Sequence, residues 1–199
     1  MSRTEEISSD VKAVSAAVAE SATHGDETLE YTRDQIELAY EHGWDGVAQS
    51  ISIAGEALEK ITGELSGLDD AFEGAVSTLD EINEQMSRSE VASHLTLSLT
   101  ALDGSQDRLE STVSLVDEAM QGAQQAEHEA LAHRLQALRD DIEGLFERLT
   151  QARADIEAEH EEAQRLGQQE GEDSQRGDSG PSDEKDRRRD DDEDQAKED

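Results

Sequence analysis

Cysteine is absent from all 199 residues, which excludes disulfide staples and thiolate chemistry and leaves the redox compartment open. Aromatic residues make up 3% and apolar residues 33% of the chain, too little for a thick globular core but enough for a thin helical bundle or coiled coil. One proline occurs, and no stretch alternates polar and apolar residues between turn signals as strands do. Lysine is confined to positions 12, 60, 185 and 197, and 51 acids face 17 bases for a net charge of −34. No run of 18 apolar residues exists, so no membrane span is expected. The first residues also lack the basic and apolar blocks of a signal peptide.

The acidity is spread along the chain. Residues 167–199 hold 14 acids and 6 bases, so the 37 acids and 11 bases before them carry −26 by themselves. Such a field repels phosphate backbones and anionic lipid surfaces, which makes nucleic acid and membrane poor partners and basic proteins or cations better ones. The balance resembles chains adapted to high salt or encoded by arginine-favouring genomes. The expected setting is a prokaryotic cytoplasm.

What the sequence does have is helical periodicity. From Val47 to Met86 apolar residues fall at Ile51, Ala54, Leu58, Ile61, Leu65, Leu68, Phe72, Ala75, Leu79 and Ile82, alternating steps of four and three. That is a heptad seam, and a helix carrying it must bury it against a partner. Leu58, Ile61, Leu65, Leu68, Phe72, Leu79 and Ile82 are therefore the candidate core or partner-binding residues. Before them, Ser2 and Glu5 form a candidate capping box for a first helix through Ile7, Val11, Val14 and Val18. Its face is thinner, with Ser21, Gly25 and Thr32 at seam positions and a candidate kink at His24–Asp26. Gly43 and Gly46 flank Trp44, the only tryptophan, and mark the turn between the two helices.

Residues 1–88 are accordingly read as one helical hairpin and 89–166 as a second hairpin or one long helix. The second region opens with a capping box at Ser87 and Glu90. Seams follow through Val91, Leu95, Leu99, Leu102, Leu109, Val113, Val116 and Met120, then Leu131, Leu135, Leu138, Ile142, Leu145, Leu149, Ala152 and Ile156. Asp103–Ser105 is a candidate break, whereas no strong breaker follows Gly122. A shift of 84 residues lays Val47 on Leu131 and Ile51 on Leu135, as a duplicated hairpin would, although 84 is a multiple of seven and superposes any two heptad patterns. Residues 167–199, rich in Gly, Ser, Gln, Asp, Glu and Arg, are expected to be a disordered acidic tail. The fold class is all-α: elongated antiparallel hairpins forming a four-helix bundle or coiled coil.

Catalytic and metal signals are weak. His128, Glu129 and His133 resemble a zinc motif, but the histidines are five residues apart, about 140° out of register on a helix. Glu157 and His160 make an ExxH unit without the second copy and facing carboxylates that di-iron bundles need. The helical pattern supplies no strands for phosphate loops or nucleophile elbows. No catalytic, cofactor or metal site is assigned, and the chain is read as a non-enzyme. Arg176–Asp178 spells an integrin-binding tripeptide, and Lys185–Arg189 forms a short basic cluster among acids; both are common products of such a composition.

Two helices of about 40 residues joined at Trp44, Asp45 and Gly46 resemble the small Trp-X-Gly helical hairpins exported by type VII secretion systems. The resemblance covers roughly the first 86 residues. It implies a turn tryptophan packed at the hairpin end, pairing of hairpins into four-helix bundles, and export as substrate or chaperone. The family's export signal, a tyrosine with an acid four residues later beyond the hairpin, is absent: Tyr31 precedes Gln35, Tyr40 precedes Trp44, and no later tyrosine exists. The expected function is a non-enzymatic interaction or scaffold protein that uses its seams to form a homo-oligomer or to hold a helical protein partner. A type VII hairpin and an acidic holdase or mimic for basic proteins are the alternatives.

Overall fold

The computed structural model describes residues 3–176, with side chains through Gln169. Five helices account for nearly all of it: α1 (Arg3–Glu41), α2 (Asp45–Asp80), α3 (Arg88–Ala101), α4 (Ser105–Gln125) and α5 (Glu129–Arg176). α1 packs on α2, α2 on α4, α4 on α5 and α5 back on α1, while α3 continues the line of α4 against α2 and α5. The result is an up-down-up-down four-helix bundle whose third member is broken. The two expected hairpins share one continuous apolar core.

The α2 seam lies at the centre of that core. Leu58, Ile61, Leu65 and Leu68 are fully buried, and Phe72 and Leu79 nearly so, at 1% and 2% exposure. α1 supplies the thin side: Ser21, Gly25 and Thr32 are all buried, and α4 closes the other side. The seam is thus completed within one chain. Ile82 departs from the pattern, because α2 ends at Asp80 and Ile82 sits half-buried in the following loop. There Asn83 Oδ1 accepts from Gln85 N at 3.0 Å and its amide donates to Glu81 O at 3.2 Å, a local turn that competes with continued helix.

The Ser87 capping box forms as expected, with Glu90 N donating to Ser87 Oγ and Ser87 N donating to Glu90 Oε2 at 2.7 Å. That backbone bond, with the Ser87 hydroxyl, holds the Glu90 carboxyl below its usual range. Gly104, at φ 78°, breaks the third helix at the expected place. α1 runs unbroken through His24–Asp26; Gly25 instead allows close approach, since a Cβ there would lie 3.2 Å from Thr62 Cγ2. α5 continues to Arg176, so residues 167–176 are helical where disorder was expected. The remaining tail, the Lys185–Arg189 cluster, Gly177 and Asp178 of the tripeptide, and Ser2 of the first capping box lie outside the described residues.

The 84-residue offset also relates the buried faces and the two turns. Ile7, Val11, Val14, Val18, Ser21, Gly25, Thr28 and Thr32 of α1 map onto Val91, Leu95, Ser98, Leu102, Ser105, Leu109, Thr112 and Val116, and every member of both sets is buried. The turns repeat as well. Gly43 N donates to Tyr40 O and Glu127 N to Gln124 O, both at 3.0 Å; Trp44 N donates to Ala39 O and His128 N to Ala123 O, both at 2.9 Å. Gly43 and Glu127 both have left-handed backbones, at φ 71° and 50°. The two turns thus share their end-of-helix hydrogen bonds at the same offset, although α1 is continuous where the third member breaks at Gly104. Glycine takes the left-handed position without strain, whereas glutamate there is disfavoured by about 1–2 kcal/mol. That is why the second turn carried no breaker in the sequence.

Candidate interaction surface

Titratable groups are plentiful. Among the described residues no group of three His, Cys, Asp or Glu is arranged to hold a metal ion. His160 Nε2 meets Thr96 Oγ1 at 3.0 Å and Gln164 Nε2 at 3.1 Å, which ties α5 to α3. His128 lies at the α4–α5 turn, with Nε2 3.3 Å from Gln35 Oε1 and Nδ1 accepting from Leu131 N, while His133 is exposed. His24 pairs with Asp141 at 2.9 Å and so joins α1 to α5. His24, His128 and His160 thus cross-link neighbouring helices.

A recess of about 760 Å³ opens at the end of the bundle where α2 passes into α3, floored by Leu79, Ile82, Met86 and Val91. At its edge Lys12 and Ser8 both donate to Asp80 Oδ1, at 2.8 and 2.7 Å, and hold that carboxyl below the usual range. The lysine and aspartate thereby engage each other. Asp80 stabilises the fold above the ordinary carboxylate range, and that contribution is lost as pH falls through its lowered value.

The opposite end carries a cluster of apolar exposure. Five large apolar side chains stand out among the described residues: Leu38, Tyr40, Trp44, Ile53 and Leu97. Leu38, Tyr40 and Trp44 fall within seven positions at the α1–α2 turn, and Trp44 is 56% exposed. Its ring lies 5.0 Å from that of His42, and His42 Nδ1 is 2.8 Å from Leu38 O one turn back. Leu38, His42 and Trp44 are all exposed, and together they make the apolar ridge of this turn. Of the expected turn residues, Gly43 meets a backbone need, Trp44 precedes the first residue of α2, and Gly46 faces open space. The turn tryptophan is not packed away as the Trp-X-Gly resemblance implied.

Leu38 and Tyr40 were absent from the sequence-derived candidates because neither lies on the seam. The signal is a large apolar residue at an off-seam position beside an acid, as in Glu37–Leu38 and Tyr40–Glu41.

No helix among the described residues is long and apolar enough to cross a membrane. Comparison with protein-family models, curated proteins and solved structures gives no match.

The charge gives a prediction for the whole bundle. Raising NaCl from about 10 mM to about 1 M shortens the Debye length from roughly 30 Å to 3 Å, which screens repulsion in a body carrying −26. The melting temperature is expected to rise over that range by calorimetry; a flat or falling profile would contradict it.

Proposed function

We propose that the protein is a non-enzymatic helical interaction protein: a self-contained four-helix scaffold that presents its α1–α2 turn end to another protein. The carrying observation is the exposure of Leu38, Tyr40 and Trp44 together, on a chain whose apolar residues are scarce and otherwise mostly buried. Placing a tryptophan in water forgoes the burial of roughly 150–250 Å² of side chain, and apolar residues gathered at one place on a charged surface mark contact sites. The seams supply rigidity, and the turn end supplies the contact.

The test is photo-crosslinking in the producing cells, with the photoreactive residue at position 38 or at Gly63, whose Cβ direction is open. A discrete adduct from position 38 that disappears with Trp44→Ser is expected, with none from position 63. The same pattern from both positions would refute the reading.

A second reading, a type VII hairpin substrate or chaperone, draws on the turn itself. α1 and α2 span 39 and 36 residues, and Trp44 immediately precedes α2. It requires the chain to appear in the medium of those cultures without lysis.

A further inference from the structure

We propose that the α1–α2 turn end docks a basic amphipathic segment, whose apolar face seats on Leu38 and Trp44 while its lysines or arginines meet the acids around them. This rests on the interface reading above and names the class of partner.

The ridge supplies the apolar half. Leu38 is 44% and Trp44 56% exposed, and the Trp44 ring lies 5.0 Å from that of His42, one helical turn after Leu38. The backbone does not impose this exposure. At the corresponding position of the second turn, with the same hydrogen bonds, His128 folds in against Gln35 and sets its ring edge-on to Tyr31 at 5.9 Å. Trp44 stays outside.

The acids supply the other half. Between Asp34 and Asp45 the chain holds Asp34, Glu37, Glu41 and Asp45 and no lysine or arginine, and all four are exposed. The neighbouring cations are engaged elsewhere: Arg33 pairs with Glu59 at 2.7 Å, and Arg134 stands 4.5 Å over the Tyr31 ring. A second copy would bring these four carboxylates against their like, in a chain of net charge −34. A basic segment neutralises them and covers the ridge in one step, the mode by which amphipathic helices enter complementary surfaces.

The experiment titrates a synthetic Leu/Lys amphipathic peptide of about 18 residues into the full chain and follows the fluorescence of Trp44, the only tryptophan. A blue shift on binding is expected. Calorimetry should show roughly tenfold weaker binding with Leu38→Ser or Trp44→Ala, as for anchor residues of an interface. A peptide of equal charge with serines for leucines should bind at least about tenfold more weakly and leave the emission unchanged. Equal binding of the serine peptide, or unchanged affinity in Leu38→Ser, would overturn the proposal, because charge alone would then be acting. Both variants should keep the wild-type circular dichroism and melting, since both positions are exposed.

Sedimentation of the chain alone separates the two levels of the reading. No peptide binding, together with a concentration-dependent dimer lost in Leu38→Ser, would overturn the basic partner while leaving the turn end an interface. Neither binding nor dimer would overturn both.

Discussion

Leu65→Asp is expected to abolish the folded bundle. Leu65 is fully buried in the middle of α2, and its Cδ1 would lie 3.9 Å from a Cβ added at Gly25 of α1. Removing a buried leucine side chain destabilises by about 2–5 kcal/mol through lost burial and the cavity left behind. A carboxylate in its place adds several kcal/mol of desolvation, since no basic residue lies on the buried faces around it. Whole domains are stable by only about 5–15 kcal/mol. The variant should lose most of its ellipticity at 222 nm and sediment as an expanded chain, with Leu65→Ala intermediate. A folded variant melting near the wild-type temperature would show that the seam is not the core.

Gly122→Ala and Gly63→Ala are expected to move stability in opposite directions, although each exchanges glycine for a better helix former. At Gly63 a Cβ meets nothing within 4 Å, so the exchange should stabilise by about 0.5–1 kcal/mol. At Gly122 it would lie 2.7 Å from Ser50 O, 3.0 Å from Ala54 N and 3.3 Å from Ile53 Cβ. The first two are backbone atoms of α2 and cannot rotate aside, so α4 must move off α2. Overpacking of this kind destabilises by about 1–3 kcal/mol, more than the helix preference returns. With roughly 2–4 °C per kcal/mol for a chain of this size, the two variants should melt several degrees apart. Equal melting temperatures would mean that α4 shifts without penalty and that its approach to α2 is not a fixed feature of the bundle.

These two experiments probe parts of the fold that were unequally legible in the sequence. The α2 seam could be read residue by residue because burial at every third or fourth position leaves a periodic trace, and Ile51 to Leu79 followed it. Gly122 could not. A glycine selected for a neighbour's backbone looks the same in sequence as Gly63, which faces solvent. The end of α2 was read two turns late because Ile82 and Met86 continue the apolar spacing while Asn83, between them, forms its own turn. The α4–α5 turn has no breaker to read, because its left-handed position holds Glu127 where the first turn has Gly43. The expectation of disorder from Gly167 rested on composition, yet α5 runs on to Arg176. At the candidate surface the turn was legible from Gly43 and Trp44. The outward pose of Trp44 and its ring contact with His42 depend on three-dimensional neighbours that no periodicity encodes.

The matched turns bear on how this end of the molecule can be recognised. If two identical hairpins had paired, every substitution would appear twice, and the end would carry two tryptophans or none, related by a twofold axis. In a single chain the two turns are free to differ, and they do: Trp44 stands at one and His128 at the other, on backbones that share their end-of-helix hydrogen bonds. The end of the bundle therefore has a front and a back. Whatever binds the tryptophan side meets it in one orientation and one copy per chain, a stoichiometry that a symmetric dimer of the same shape would not impose.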